Sequence, residues 1–123
     1  MATNQERVLN FVAAWEARDI EKILSLMAPD AFYHNIPMQP LHGRDAIRGM
    51  LGAFLANATK VKWTVHHIAE NSAGVVLTER TDDFEMGSKK LSLRVMGTFE
   101  LKDGLISAWR DYFDLGQFQS QMA

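Results

Sequence analysis

From Lys60 onward the apolar residues of this chain stop following helical spacing and alternate in period two as far as Phe113. The predicted strands are 61–70, 75–84, 91–101 and 105–113, with turn chemistry at 71–74, at Gly87 and Ser88, and at 102–104. Asp103-Gly104 is a hairpin signal, because both positions tolerate φ > 0. The sequence before Lys60 reads differently. Thr3 with Glu6 three residues later has capping-box form, and Val8, Leu9, Phe11, Val12 and Trp15 share one helical face. Asp19 caps a second helix with Ile20, Ile23, Leu24 and Met27 on its apolar side, and Pro29 stops it. A short strand is predicted over 31–36, ended by a loop holding Pro37 and Pro40. Gly43 and Arg44 open a third helix that buries Ile47, Met50, Leu51, Phe54 and Leu55. After Asp114, Gly116 begins a short tail in which Leu115 and Phe118 dock. Helices first and hairpin-linked strands afterwards mean α+β: N-terminal helices cover one face of a curved, mostly antiparallel sheet that encloses a conical pocket.

Composition narrows the function. A length of 123 residues suits one domain, and 13 Lys and Arg against 15 Asp and Glu leave a net charge of −2. That balance gives no electrostatic reason to expect nucleic acid or an anionic membrane as partner. The absence of cysteine removes disulfides, thiolate nucleophiles and zinc–thiolate sites. With no signal-like N-terminus and no apolar run near the roughly 20 residues that span a bilayer, the expectation is a soluble, cytoplasmic protein. His66 and His67 are adjacent in a strand and therefore expected on opposite faces, and no H-x-x-x-H spacing occurs, so no metal site is expected. No serine sits in a Gly-x-Ser-x-Gly setting, and Gly49 and Gly52 fall inside a helical pattern rather than a phosphate loop. Met27, Met38, Met50, Met86 and Met96 could line an adaptable apolar pocket.

Several polar residues are out of place for a plain core. Alternation sets Val76, Thr78, Arg80, Asp82 and Phe84 on one face of their strand, and Val75, Leu77, Glu79, Thr81 and Asp83 on the other. Neither face is apolar throughout, and Arg80 and Asp82 are spaced as a guanidinium–carboxylate pair. In the last strand Leu105, Ser107, Trp109, Asp111 and Phe113 share a face, so Asp111 lies between two aromatic rings, with Arg80 its obvious partner. In the first strand Tyr33 and Asn35 share a face, and a phenol beside an amide can hold one water. Singly, each has an ordinary explanation, such as charges on a solvated sheet edge. As a set, Tyr33, Asn35, Arg80, Asp82 and Asp111 point to function, because two separate strands place acids among apolar neighbours. Two carboxylates sharing one arginine should separate in pKa, leaving one as base and the other as acid. Beside a fixed water, that set suits acid–base addition of water to an activated small molecule such as an epoxide.

Tyr33-His34-Asn35 with Pro37, then Gly43-Arg44-Asp45, Glu79-Arg80-Thr81-Asp82 and Trp109-Arg110-Asp111-Tyr112-Phe113-Asp114 resemble the limonene-1,2-epoxide hydrolase family. That family lies within the cone-shaped α+β folds related to nuclear transport factor 2, SnoaL-like proteins and ketosteroid isomerase. The resemblance runs from the first helix to the last strand and implies one such domain over 1–123. It implies that Asp111 deprotonates a water held also by Tyr33 and Asn35, that Asp82 protonates the epoxide oxygen, and that Arg80 links the two acids. It further implies one-step hydrolysis of a small hydrophobic epoxide to a vicinal diol, with no covalent ester, no metal and no organic cofactor, in a homodimer formed through the sheet's outer face. The chain starts almost directly at its first helix, a departure from family members that bears on pocket closure and substrate size. Two other classes fit the same fold: an isomerase or cyclase acting next to a carbonyl, in which Arg80 has no clear task, and a non-catalytic dimeric ligand-binding module.

Overall fold

The alternating half of the sequence forms four long strands, β3 (Ala58–Glu70), β4 (Val76–Met86), β5 (Lys89–Lys102) and β6 (Leu105–Tyr112). They are described in a computed structural model covering residues 2–123. Ahead of them run α1 (Asn4–Glu16), α2 (Ile20–Ser25), β1 (Met27–Asn35), β2 (Leu41–His42) and α3 (Arg44–Asn57), and α4 (Leu115–Met122) follows. The strands make one sheet of order β2-β1-β6-β5-β4-β3, antiparallel except where β1 lies parallel to β6. Helices pack on one face, and the core between the layers includes Phe11, Ile23, Ile47, Leu51, Phe99 and Trp109. No helix of the described residues is long and apolar enough to cross a membrane.

Local signals act as the sequence suggests at several points. Thr3 and Glu6 form the capping box of α1, and the Asp19 side chain accepts the Lys22 N–H at the start of α2. Asp103 and Gly104 both take positive φ, 53° and 81°, in the β5–β6 hairpin. The joint between α1 and α2 is fixed by Arg18, whose guanidinium donates to the Leu55 and Ala58 carbonyls where α3 ends, at 2.7 Å each. Ile47, Leu51 and Leu55 of α3 are buried, whereas Met50 and Phe54 are half-buried.

Four expectations need correction. Helix α2 ends at Ser25, before Pro29, and Met27 opens β1 as a fully buried strand residue. Pro29 falls where the β1–β6 register shifts between Met27 and Phe32, a stretch in which its missing N–H breaks no ladder bond. In β3 the register shifts between Val65 and His67, so His66 is an extra residue and both histidines are exposed rather than on opposite faces. In β6 a matching shift makes Ser107 the extra residue, which turns Ile106 into the core alongside Trp109. Residues 115–122 form a helix instead of an irregular tail, capped by Asp114, whose carboxylate accepts the Gln117 N–H at 3.2 Å.

Candidate active site

Strand β4 carries the central cation. Val76, Thr78, Arg80, Asp82 and Phe84 are all buried, so this face enters the core with its charges rather than avoiding it. Neither β4 nor β6 is an edge strand, so the acids do not belong to a solvated rim. Arg80 is 0% exposed, Asp82 3% and Asp111 4%. Burial of three charges is tolerated because their hydrogen-bonding capacity is met. Arg80 Nε donates to Asp82 Oδ1 at 3.0 Å, and Nη2 donates to Asp82 Oδ2 and to Asp111 Oδ2, each at 2.9 Å. Nη1 donates to Thr78 Oγ1 at 3.0 Å, and the Thr78 hydroxyl donates to the Gly97 carbonyl at 3.4 Å. One face of the guanidinium lies over Trp63, 4.7 Å from the ring centroid.

Strand β5 separates Arg80 from Asp111, and Gly97 is what lets the two meet. Thr78, Gly97 and Asp111 are cross-strand partners in one row, and the guanidinium bridges to Asp111 above that row. A Cβ on Gly97 would lie 2.3 Å from Arg80 Nη1, 2.7 Å from Asp111 Oδ1 and 3.0 Å from Thr78 Oγ1. The second oxygen of Asp111, Oδ1, accepts the Trp109 indole N–H at 2.7 Å. Thr78 and Trp109 join the site without having been expected there from sequence. Their signal was present, for each stands two residues before a charged site residue and so on the same face.

The first strand completes the group. Asn35 is the cross-strand partner of Asp111, and Tyr33 that of Trp109, on which its ring stacks at 4.0 Å. The phenol donates directly to Asn35 Oδ1 at 3.0 Å. Tyr33, Asn35, Asp82 and Asp111 thus line one cavity of about 170 Å³ between the helices and the sheet, and Arg80 sits behind the two acids rather than in its wall. The rest of the lining is aromatic and aliphatic, including Met38, Met50, Phe54, Leu93 and Phe113. Of the five candidate methionines, Met38 and Met50 line it; Met96 is exposed and Met27 lies in the core. Phe118 of α4 also lines it. That helix is tied to β5 by Gln121, which bonds the Ser92 backbone N–H at 2.6 Å and carbonyl at 2.9 Å. It occupies the edge of β5 beyond Met96, where pairing with β6 stops.

The electrostatics distinguish the titrating groups. Burial raises the Asp82 carboxyl to about 6, with the Asp111 and Asp83 charges adding to burial and Arg80 opposing it. Burial likewise raises the Tyr33 phenol far above its ordinary range, helped by the Asp111 charge. For Arg80 burial acts to lower the pKa, but the two carboxylates outweigh it and hold the guanidinium firmly charged. The outer face carries the histidines: His66 Nε2 is 2.7 Å from Thr81 Oγ1, and His67 Nε2 is 3.9 Å from Glu79 Oε1. Among the described residues no three His, Asp or Glu side chains converge as metal ligands.

Comparison with known proteins finds relatives described as epoxide hydrolases. The epoxide hydrolase EphG of Mycobacterium tuberculosis (strain ATCC 25618 / H37Rv) is 30% identical over 105 residues, covering 85% of this chain and 69% of that protein. The solved structure of an M. tuberculosis LEH-like epoxide hydrolase has a TM-score of 0.85 at 28% identity, covering 97% of this chain and 89% of that one. Bal32a, from a soil-derived mobile gene cassette, shares the fold with a TM-score of 0.85 at 24% identity over 98% of this chain and 96% of its own. The model of the limonene-1,2-epoxide hydrolase catalytic domain matches residues 2–123, and the chain belongs to that family.

Proposed function

We propose that this protein is an epoxide hydrolase that opens a small hydrophobic epoxide with water in one step, giving a vicinal diol. The observation that carries the reading is a single buried guanidinium bonded to two cavity-lining carboxylates at 2.9 Å each, one of them raised to about 6. Asp111 is the base. Its oxygens each accept one bond from the protein, which leaves lone pairs for a water. Because the Tyr33 proton is committed to Asn35, the phenol oxygen accepts from that water and the Asn35 amide donates to it. Both water protons are then held, one by Asp111 and one by Tyr33, and a remaining lone pair is free to attack carbon. Asp82 is the acid, and its proton goes to the oxygen released as the C–O bond breaks. The trio of Asp111 carboxylate, Arg80 cation and neutral Asp82 has no net charge before the step and none after it, so the buried site never accumulates charge. No covalent ester, metal or organic cofactor has a part in this scheme.

A cavity of about 170 Å³ sets the scale of the substrate. An engineered cavity of about 150 Å³ holds benzene, so a single small ring bearing the epoxide is the natural size. The isomerase alternative gives the arginine no role. We read the chain as one cytoplasmic domain that forms a homodimer through the outer sheet face, where Leu77, Met96 and Tyr112 are exposed large hydrophobic side chains. The test is diol formation from a panel of small epoxides, by wild type and by Asp111→Asn with its circular dichroism unchanged. Diol from the wild type alone supports the assignment. Equal activity in both, or none from any epoxide, ends it.

A further inference from the structure

Thr78 carries the only serine or threonine hydroxyl that is buried among the described residues, at 1% exposure, and it has no place in the cavity wall. It therefore meets no substrate, and its side-chain bonds go to the frame of the site. Its oxygen accepts from Arg80 Nη1 at 3.0 Å, and its own proton goes to the Gly97 carbonyl at 3.4 Å. That donation leaves the hydroxyl lone pairs for the guanidinium, and branching at Cβ restricts the side chain to few rotamers. The other restraints on Arg80 leave one freedom. Trp63 covers a face of the guanidinium, which holds its plane but allows sliding within it. Asp82 grips the Nε–Nη2 edge with both oxygens, yet it stands on the same strand two residues away, and its own torsions let it turn with the arginine. Thr78 ties the Nη1 end to β5 through Gly97, which is also the cross-strand partner of Asp111.

We propose that Thr78 is a positioning residue: it keeps the guanidinium between the two acids, where one Nη2 serves both, while negative charge passes from one to the other. In the reactive state Asp82 is neutral and Asp111 is the anion, so electrostatic attraction draws the cation towards Asp111. A closer Arg80 would offset the charge of the base and weaken its pull on the water proton. It would also leave Asp82 short of a donor as that side chain gives up its proton and becomes the anion. The Thr78 hydroxyl opposes the slide and is in place before the step, so it costs no reorganisation during it. The consequence for rate rests on the epoxide-hydrolase reading; the placement of Arg80 is testable apart from it.

Thr78→Val keeps the shape and branching of the side chain and removes the acceptor, whereas Thr78→Ser keeps the acceptor and loses the methyl group. The Trp109 indole N–H, which donates to Asp111 Oδ1 at 2.7 Å, reports how strongly Asp111 still accepts. Its resonance, assigned by Trp109→Phe, is followed in ¹⁵N-labelled protein at about pH 5, where Asp82, raised to about 6, is protonated. Thr78→Val should move it upfield, because Arg80 closes on Asp111, and Thr78→Ser should restore it. In turnover of a small epoxide, Thr78→Val should lower kcat about 10- to 100-fold with KM unchanged, and Thr78→Ser should recover to within about threefold of wild type. An indole resonance that stays or moves downfield in Thr78→Val overturns the proposal. So does a Thr78→Ser as slow as Thr78→Val, which would make the methyl group the part that matters. A raised KM at unchanged kcat also overturns it, since that marks a substrate contact. Should Thr78→Val fail to fold, Thr78→Cys, whose thiol is a weak acceptor, is read in its place. If the indole moves upfield but wild type hydrolyses no epoxide, the placement of Arg80 stands and the hydrolase reading fails. Diol from wild type without that upfield shift leaves the hydrolase reading standing and removes Thr78 from it.

Discussion

Gly97→Ala is the smallest change that tests whether the two acids must share one arginine. The added carbon would lie 2.3 Å from Arg80 Nη1 and 2.7 Å from Asp111 Oδ1. Such contacts settle near about 3.5 Å, so the guanidinium would have to retreat by roughly 1 Å. An exposed arginine would swing aside, but this one is held by Asp82, Thr78 and Asp111 and lies over Trp63. A retreat of that size lengthens the 2.9 Å bond to Asp111 beyond hydrogen-bonding range. Overpacking of a core costs about 1–3 kcal/mol, and loss of a partner in a buried ionic network about 3–5 kcal/mol. The shift is partial, so a loss of about 3 kcal/mol is expected, lowering Tm by roughly 10 °C. Misplacing a catalytic group by about 1 Å should reduce kcat by about 100-fold. Urea denaturation and initial rates of diol formation measure both. Gly52→Ala on α3 is the control: it is exposed with nothing within 4 Å of the new carbon, and should be neutral or slightly stabilising. Wild-type stability and activity in Gly97→Ala would refute the reasoning.

Other perturbations separate the remaining roles. Arg80→Ala should abolish activity and cost several kcal/mol at pH 7, because two buried acids lose their cation; urea melts should show the deficit shrinking as pH falls and the acids protonate. Tyr33→Phe should lower kcat by about 10- to 100-fold with little change in Tm, since the ring keeps its stacking on Trp109 and Asn35 remains beside Asp111. If protonated Asp82 is the acid, kcat should decline about tenfold per pH unit above its value of about 6. The same shift has a stability consequence of opposite sense to an ordinary salt-bridged carboxylate. Folded Asp82 keeps a proton that the unfolded chain, near its usual value of about 4, has released. Its contribution is therefore fully present below about pH 4 and lost as pH rises through about 6, which urea melts of wild type against Asp82→Asn across that window would show.

What could be read from the sequence follows from period two. Alternation alone puts Arg80 on the same face as Asp82 and Asp111 on the same face as Trp109, and the structure keeps both relations. It cannot foresee an extra residue in a strand. His66 and Ser107 each interrupt the alternation, and each turns a neighbour to the side opposite to the one expected. Nor does one strand's pattern give cross-strand register. That Gly97 stands in a row with Thr78 and Asp111 depends on how β4, β5 and β6 align, which no single segment encodes. Helix α4 was obscured by Gly116 and by its length of 8 residues, although Leu115, Phe118 and Met122 do follow helical spacing after the Asp114 cap.

The central claim is that water, activated by Asp111, attacks the epoxide directly. A single turnover in H₂¹⁸O, with enzyme in excess over a small epoxide, tests it. The account predicts that the diol from the wild type carries the label on that first turnover and that Asp111→Asn forms no diol. Unlabelled diol would show that a carboxylate of the protein had attacked first, and labelled diol from Asp111→Asn at the wild-type rate would remove the base from the mechanism.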